Sequence, residues 1–240
     1  MTNKIQLSVV VPCYNEGENI ALIVKRFLEV KPNGIGIELI LIDNGSTDNS
    51  NKVISDYTKK YHFIKSARIK KNIGYGNGVW YGLKKGAGEY LCWTHADLQT
   101  DIADTIKAYK IIIKQADPKK CFIKGNRIRR PLFDNFFMLG MSIFETIMLR
   151  KMLYDINAQP NLFHQSFLNN IKNPPMDFSF DLYFYYLAKR FNYKSIRFPV
   201  LFQKRLHGQS HWNTNLKGKW KFIKRTVYFT FKLKKHLRSY

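Results

Sequence analysis

With 240 residues, 45% hydrophobic and 24% charged, the chain has the size and balance of one large domain, which excludes a disordered, collagen-like or disulfide-scaffolded protein. Its charge departs from the average: 40 Lys and Arg stand against 17 Asp and Glu, a formal net charge of +23. Of those cations 15 follow Asp181, after which no acidic residue occurs, so the C-terminal quarter is an anion-seeking surface. Cys13, Cys92 and Cys121 are too few and too scattered for a disulfide framework or a four-cysteine zinc site, and they read as reduced, buried thiols in a cytoplasmic protein. The opening MTNKIQLSVVVPCYNE carries a short apolar run ended by Pro12 and no cleavage pattern, so no signal peptide is expected. The longest weakly polar stretch, 136–149, is broken by Ser142, Glu145 and Thr146 and is shorter than the roughly 20 residues of a spanning helix.

In chain order, Leu7–Val11, Glu38–Ile42, Phe63–Ala67, Tyr90–Trp93 and Cys121–Lys124 read as strands. Segments such as Ile20–Val30 and Asn51–Lys60 repeat their apolar residues nearer every 3.6 than every 2. Repeated βα punctuation predicts an α/β fold with a doubly wound, mostly parallel central sheet flanked by helices. Pro131–Leu153 is apolar and reads as a helical hairpin or connector, followed by a helix over Phe178–Lys189, a strand over Lys194–Phe202 and a loop over Gln203–Asn215. The last stretch is ambiguous: Trp220, Ile223 and Val227 suit a helix, whereas Phe229, Phe231 and Leu233 alternate like a strand. No repeat or flexible linker divides the chain. It is expected to hold one catalytic unit over 1–215, including the apolar 131–153 segment, and a basic, aromatic extension over 216–240.

In such sheets ligands bind beyond the carboxyl ends of the strands, so the residues that follow each strand carry the functional expectation. They are Pro12-Cys13-Tyr14-Asn15-Glu16, Asp43-Asn44-Gly45-Ser46-Thr47-Asp48, the stretch Asn72–Gly78, and His95-Ala96-Asp97-Leu98-Gln99. Asp97 and Gln99 offer hard oxygen donors on one short loop, the kind Mg²⁺ or Mn²⁺ takes when water and substrate phosphates complete its shell. The plainer alternative for this loop is a helix N-cap formed by Thr100 or Asp101.

These four motifs together, Val-Val-Pro-Cys-Tyr-Asn-Glu at 10–16, Asp-Asn-Gly-Ser-Thr-Asp at 43–48, Asn-Ile-Gly-Tyr-Gly-Asn-Gly at 72–78 and Ala-Asp-Leu-Gln at 96–99, resemble the family 2 glycosyltransferases of the GT-A (Rossmann-like) nucleotide-diphospho-sugar transferase fold. The nearer likeness is to the branch with dolichyl-phosphate mannose synthase and bacterial polyprenyl-phosphate glycosyltransferases. It continues through Gly125-Asn126-Arg127, Asp181, Phe198-Pro199-Val200 and Arg205-Leu206-His207-Gly208-Gln209-Ser210, covering roughly 5–215.

The resemblance implies a nucleotide-sugar pocket lined by Pro12, Tyr14, Asn15 and Glu16, with Asp43 and Asn44 near base or ribose, Gly74 and Gly76 beneath the nucleotide, and Arg127 among the donor-binding residues. Asp97 would hold a divalent metal, Mg²⁺ or Mn²⁺, assisted by Gln99, with His95 either a further direct ligand or a neighbour that supports the site without touching the metal; Arg205 and Ser210 would close over the phosphates. His95 stands where the family usually has the first Asp of Asp-x-Asp, and Asn44 where many members have a second Asp. Imidazole suits Mn²⁺ better than Mg²⁺, so the metal preference stays open. The implied reaction is inverting transfer of a hexose, in which charge grows on the departing diphosphate. Asp97, Asp181 and Arg205 are the catalytic candidates.

The acceptor turns on ionisation and on the surface. A hydroxyl acceptor needs a carboxylate base, for which Asp181 is the candidate, although a helix-face or capping carboxylate is the plainer reading. A polyprenyl or dolichyl phosphate is already ionised near neutral pH and needs no strong base. Arg127, Arg129 and Arg130 border the apolar 136–149 stretch, and Trp220–Leu233 interleaves aromatics with Lys221, Lys224, Arg225 and Lys232. This mixture suits an anionic membrane surface and hence a peripheral, lipid-phosphate enzyme on the cytoplasmic side. The blander reading is core plus a solvated basic helix. The alternatives are transfer to a hydroxyl of a polysaccharide, glycolipid or protein glycan and, in a different class, nucleic-acid binding by the basic aromatic tail. No nucleic-acid-binding motif is present, and carboxylates at successive strand ends would repel phosphate unless a metal intervened.

Overall fold

The computed structural model describes residues 4–129, 132–205 and 216–236. Strands β1 (Leu7–Cys13) and β2 (Ile37–Asp43) are buried along their whole length, which is why they appear in the sequence as unbroken apolar runs rather than as alternating strands. Their side chains nevertheless alternate between two cores. Val9, Val11, Leu39 and Leu41 meet Ile20, Phe27 and Ile106 on one face, while Val10, Ile40 and Ile42 meet Val79, Leu83 and Phe180 on the other. Helix α1 (Gly17–Val30) buries Ile20, Ile23, Val24 and Phe27, the i, i+3, i+4, i+7 stripe of an amphipathic helix.

The chain continues through α2 (Ser50–Lys60), β3 (Ile64–Arg68), α3 (Tyr75–Leu83), β4 (Tyr90–Trp93), α4 (Ala103–Ile112) and β5 (Cys121–Ile128). Then come α5 (Leu132–Leu149), β6 (Asn161–His164), α6 (Phe180–Arg190), β7 (Lys194–Leu201) and α7 (Leu216–His236). The seven strands lie in the order β3-β2-β1-β4-β6-β5-β7. All neighbours are parallel except β6, which runs antiparallel to β4 and to β5. The expected mostly parallel α/β sheet is therefore the observed one. After β3 the chain crosses to the other side of β1, so a crevice opens beyond the ends of β1 and β4.

Several sequence expectations are corrected. The four-residue β6 escapes pattern reading, being too short to show a period. The stretch 72–78 that follows β3 passes into a helix, α3, which begins at Tyr75 and takes in Gly76 and Gly78. The apolar 131–153 segment is one helix over Leu132–Leu149, not a hairpin, and β5 runs on to Ile128. The ambiguous tail is helical: Phe231 is exposed and Leu233 buried because they lie on different faces of α7, not of a strand. Helix α7 packs on α5, where Thr230 Oγ1 lies 2.7 Å from both oxygens of the buried Glu145.

Candidate active site

The loops after β1 and β2 are tied together at the crevice. Asn15, held at φ 55°, accepts a hydrogen bond from Thr47 N at 2.8 Å, and its own N–H donates to Ser46 Oγ at 3.0 Å. The first N–H groups of α1 have no partner within the helix. Glu16 N donates to Ser50 Oγ at 2.9 Å and Gly17 N to Asp48 Oδ2 at 3.2 Å. Asp43 is buried, accepts from Ser46 N at 2.8 Å and faces Arg68 Nε at 3.2 Å. Asn44 Nδ2 donates to Gly74 O at 3.0 Å, linking this cluster to the start of α3. Pro12 is buried in β1, and Tyr14 is exposed at its end.

Gly74 and Gly76 meet a protein partner. A Cβ on Gly74, whose φ is 138°, would fall 2.2 Å from Met176 O, and one on Gly76 would fall 2.5 Å from Pro175 O. Both glycines are needed for the backbone of 175–177 to press against α3.

At the exit of β4, Asp97 is 5% exposed. Its Oδ1 accepts from Gln99 N at 3.1 Å, and its Oδ2 lies 2.9 Å from the Arg205 guanidinium and 3.8 Å from His95 Nδ1. Burial works to raise its pKa, but His95, Arg205 and the Gln99 amide together hold it below the ordinary carboxylate range, so it is ionised. Glu16 is pushed the other way, by burial and by the Asp97 charge, with Asn19 and Arg205 opposing. Glu16, Asp97 and Arg205 thus share one electrostatic neighbourhood across the β1/β4 crevice. Gln99 clasps the segment that delivers Arg205: its Nε2 donates to Gln203 O at 3.2 Å, and Gln203 N returns a bond to Gln99 O at 2.8 Å. At the end of this loop Ile102 occupies the N-cap position of α4 without a side-chain capping bond, and Asp101 Oδ1, one residue earlier, accepts from Ala103 N at 2.9 Å.

Behind Asp97 lies a polar floor that joins two residues named from the sequence, Asp181 and His95, to Tyr75, Gln159, Asn161 and Lys124, which the sequence reading missed. Asp181, in the first turn of α6 and 1% exposed, accepts at Oδ1 from Trp93 Nε1 and from Gln159 Nε2, each at 3.1 Å. Edge-on packing of Trp93 against the stacked pair Phe180 and Phe184 aims the indole there. Gln159 Nε2 also lies 3.2 Å from Tyr75 Oη and 3.3 Å from His95 Nε2, and Tyr75 Oη is 3.0 Å from His95 Nε2. Lys124, fully buried in β5, completes the floor through Asn161. The signals available were a lysine inside an apolar strand and a polar Gln159-Pro160-Asn161 run; the joining strand β6 was not recognisable.

Arg127 stands apart from Asp97 in the described contacts. Its side chain and N–H both bind the buried carboxylate of Asp155, and its guanidinium lies 5.1 Å from the Phe202 ring centroid. Ser210, expected to close over the phosphates, lies outside the described residues, as do Arg130, His207 and His211. All three cysteines are buried free thiols.

Among the described residues no group of three or more His, Cys, Asp or Glu could hold a metal ion. The donor set fits a different arrangement: one ionised carboxylate, Asp97, on the crevice wall, with substrate oxygens and water supplying the remaining ligands, the way Mg²⁺ is commonly held. Gln99 presents its amide nitrogen to Gln203, which aligns the loop.

A model of glycosyl transferase family 2 matches residues 8–166, from β1 past β6. The chain belongs to glycosyl transferase family 2. Within this family, a dolichyl-phosphate beta-glucosyltransferase of Dictyostelium discoideum is 27% identical over 210 residues, covering 79% of this chain and 64% of the relative. The chain thus spans a little under two thirds of that relative's length. Among solved structures, a mannosyltransferase of Pyrobaculum calidifontis in complex with GDP-Man and Mn²⁺ superposes with TM-score 0.63 at 19% identity, over 88% of this chain and 59% of that one. Glucosyl-3-phosphoglycerate synthase of Mycobacterium tuberculosis, in complex with Mn²⁺, UDP and glucosyl-3-phosphoglycerate, superposes with TM-score 0.72 at 13% identity, over 96% of this chain and 80% of that one. At these identities the likeness is one of fold, and the fold is GT-A.

Proposed function

We propose that this family 2 chain transfers a hexose from a nucleoside-diphosphate sugar to a polyprenyl or dolichyl phosphate at an anionic membrane surface, on the cytoplasmic side and with inversion. The observation that carries the reading is the buried, ionised Asp97 at the β4 exit, faced by Arg205 and Glu16 across the crevice where a doubly wound sheet binds its ligand. Pro12, Tyr14, Asn15, Glu16, Asp43 and Asn44 line the donor side. A divalent cation, Mg²⁺ or Mn²⁺, bound at Asp97 would neutralise charge growing on the leaving diphosphate. Arg205, which meets the same carboxylate beside the Gln99–Gln203 clasp, would pair with a phosphate oxygen.

Two features favour a lipid phosphate. Asp181 is withdrawn beneath Trp93 and Gln159, a poor position for the base that a hydroxyl acceptor needs. Helix α5 exposes Phe136, Leu139, Ile143 and Ile147 along one line, and α7 exposes Trp220, Tyr228 and Phe231 among Lys224, Lys232 and Lys235. Apolar side chains interleaved with lysines match an anionic bilayer interface. Among the described residues no helix is long and apolar enough to cross a membrane. Arg225 on α7 faces Asp177 at 3.5 Å and lies 5.2 Å from the Phe178 ring centroid, and that ring stacks on Tyr75. The same helix therefore reaches the site. The relative from Dictyostelium, named for a dolichyl-phosphate acceptor, supports the reading.

The test is a panel of UDP- and GDP-sugars offered to polyprenyl phosphate in vesicles, with and without Mn²⁺ or Mg²⁺. Product on the lipid phosphate supports the proposal; product only on a hydroxyl acceptor overturns it. One observation favours that second reading: Asp181 Oδ2 is buried with no hydrogen-bond partner. Asp181→Asn separates the two, with near-wild-type turnover expected for a phosphate acceptor and loss of several orders of magnitude, fold intact, for a hydroxyl.

A further inference from the structure

Lys124, Asn161, Gln159 and Tyr75 form a chain of hydrogen bonds whose donor and acceptor directions are dictated from both ends. Lys124 Nζ donates to Ala158 O at 2.8 Å and to Asn161 Oδ1 at 2.7 Å. An ammonium can only donate, so the Asn161 oxygen must face it. Asn161 Nδ2 then donates to Ala158 O at 3.3 Å and to Gln159 Oε1 at 2.8 Å. The shared Ala158 carbonyl holds that amide orientation even where Lys124 is a neutral amine, which keeps two N–H groups. At the other end the Asp181 carboxylate, already accepting from Trp93, needs an N–H from Gln159 and receives it. Gln159 therefore turns its oxygen to Asn161 and its NH₂ to the site.

The second hydrogen of that NH₂ faces Tyr75 Oη and His95 Nε2. Burial, with the Asp181 charge, pushes the Tyr75 hydroxyl well above its ordinary pKa, so it keeps its proton, and since Gln159 presents an N–H to Tyr75 Oη, His95 Nε2 at 3.0 Å is the group in range that can accept that proton. Every neighbour of Nε2 is thus a donor. A proton on Nε2 would meet the Gln159 N–H head-on and leave the Tyr75 hydrogen with no acceptor in this group.

We propose that this relay fixes neutral His95 as the tautomer with its proton on Nδ1, pointed at Asp97, making Lys124, Asn161, Gln159 and Tyr75 positioning residues for the carboxylate at the β4 exit. His95 Nδ1 lies 3.8 Å from Asp97 Oδ2. A nitrogen that carries a proton is no ligand, so His95 turns a polar N–H toward Asp97 from just beyond hydrogen-bond range and does not replace the usual aspartate as a second metal ligand. The polarity that decides this originates on β5, three strands from β1, and reaches the site through β6.

The test reads the tautomer directly and needs no substrate, so its failure is distinct from failure of the proposed reaction. Protein labelled with ¹⁵N-histidine is examined by NMR at about pH 8, above the ordinary histidine pKa, with His95→Asn identifying the His95 signals. The expected result is a protonated Nδ1 and a bare Nε2. A proton on Nε2 with a bare Nδ1 overturns the proposal, and the wild-type spectrum, recorded at a pH where the ring is neutral, alone decides this. Gln159→Leu and Asn161→Leu, where they melt as folded proteins, are expected to admit the Nε2–H tautomer; an unchanged tautomer in both overturns the relay. Gln159→Leu should also lower kcat about 10- to 100-fold with the donor KM little changed, the signature of lost positioning.

Discussion

Asp97 keeps its charge in a place that disfavours charge, because His95, Arg205 and the Gln99 amide together outweigh its burial. Asp97→Ala is therefore expected to lower kcat/KM by about 100- to 1000-fold and to lower the melting temperature as well, since a depressed carboxylate pKa contributes stability; full retention of rate in steady-state kinetics would remove Asp97 from the mechanism. Lys124 makes the opposite case. Burial lowers its pKa to about 7 despite the nearby Asp181 charge. Its folded pKa lies below the unfolded one, so the unfolded chain binds more protons between about pH 7 and 10 and stability rises with pH there. The expected slope, at most about 1.4 kcal/mol per pH unit, should be seen in urea melts of the wild type and be absent from Lys124→Met.

Helices α5 and α7 meet through a polar contact that has more acceptors than protons. Thr230 has one hydroxyl hydrogen, yet both Glu145 oxygens lie at 2.7 Å and Thr226 O at 2.9 Å. A protonated Glu145 supplies the second hydrogen, in keeping with a pKa raised by burial to about 7 against the pull of Thr230. The sign runs opposite to that of Lys124: the folded pKa is raised, so the stability it contributes is complete below about pH 4.5 and lost as pH climbs to about 7. Glu145→Gln, which keeps an acceptor and supplies N–H donors, should flatten this fall in thermal melts recorded across that range; an unchanged slope would mean that another group titrates there.

For the whole molecule, a net charge of +23 and the exposed apolar line on α5 act on the same partner. Flotation with vesicles should show binding to anionic but not zwitterionic bilayers, weakened by salt as screening shortens to a few ångströms at about 1 M. Phe136→Asp with Ile147→Asp should reduce binding further without altering the melting temperature; equal binding to zwitterionic vesicles would argue against a charge-led surface. The βα alternation, the crevice residues and the loop at 95–99 were legible because each is written in a short stretch of chain. Gln159, Asn161 and Lys124 were not, because their meaning depends on β6 lying between β4 and β5.

By itself the sequence determined what local chemistry can specify: buried parallel strands as apolar runs, polar residues and glycines at strand ends, and a cationic C-terminal quarter. Tertiary structure alone decided which of those polar groups meet. It turned Gly74 and Gly76 toward the 175–177 backbone, tied Arg127 to Asp155, and drew Arg205 to Asp97 across 108 positions of sequence. Hydrogen bonds have direction and a range of about 3 Å, so the role of a buried lysine or amide exists only once a distant strand has brought its partner within reach.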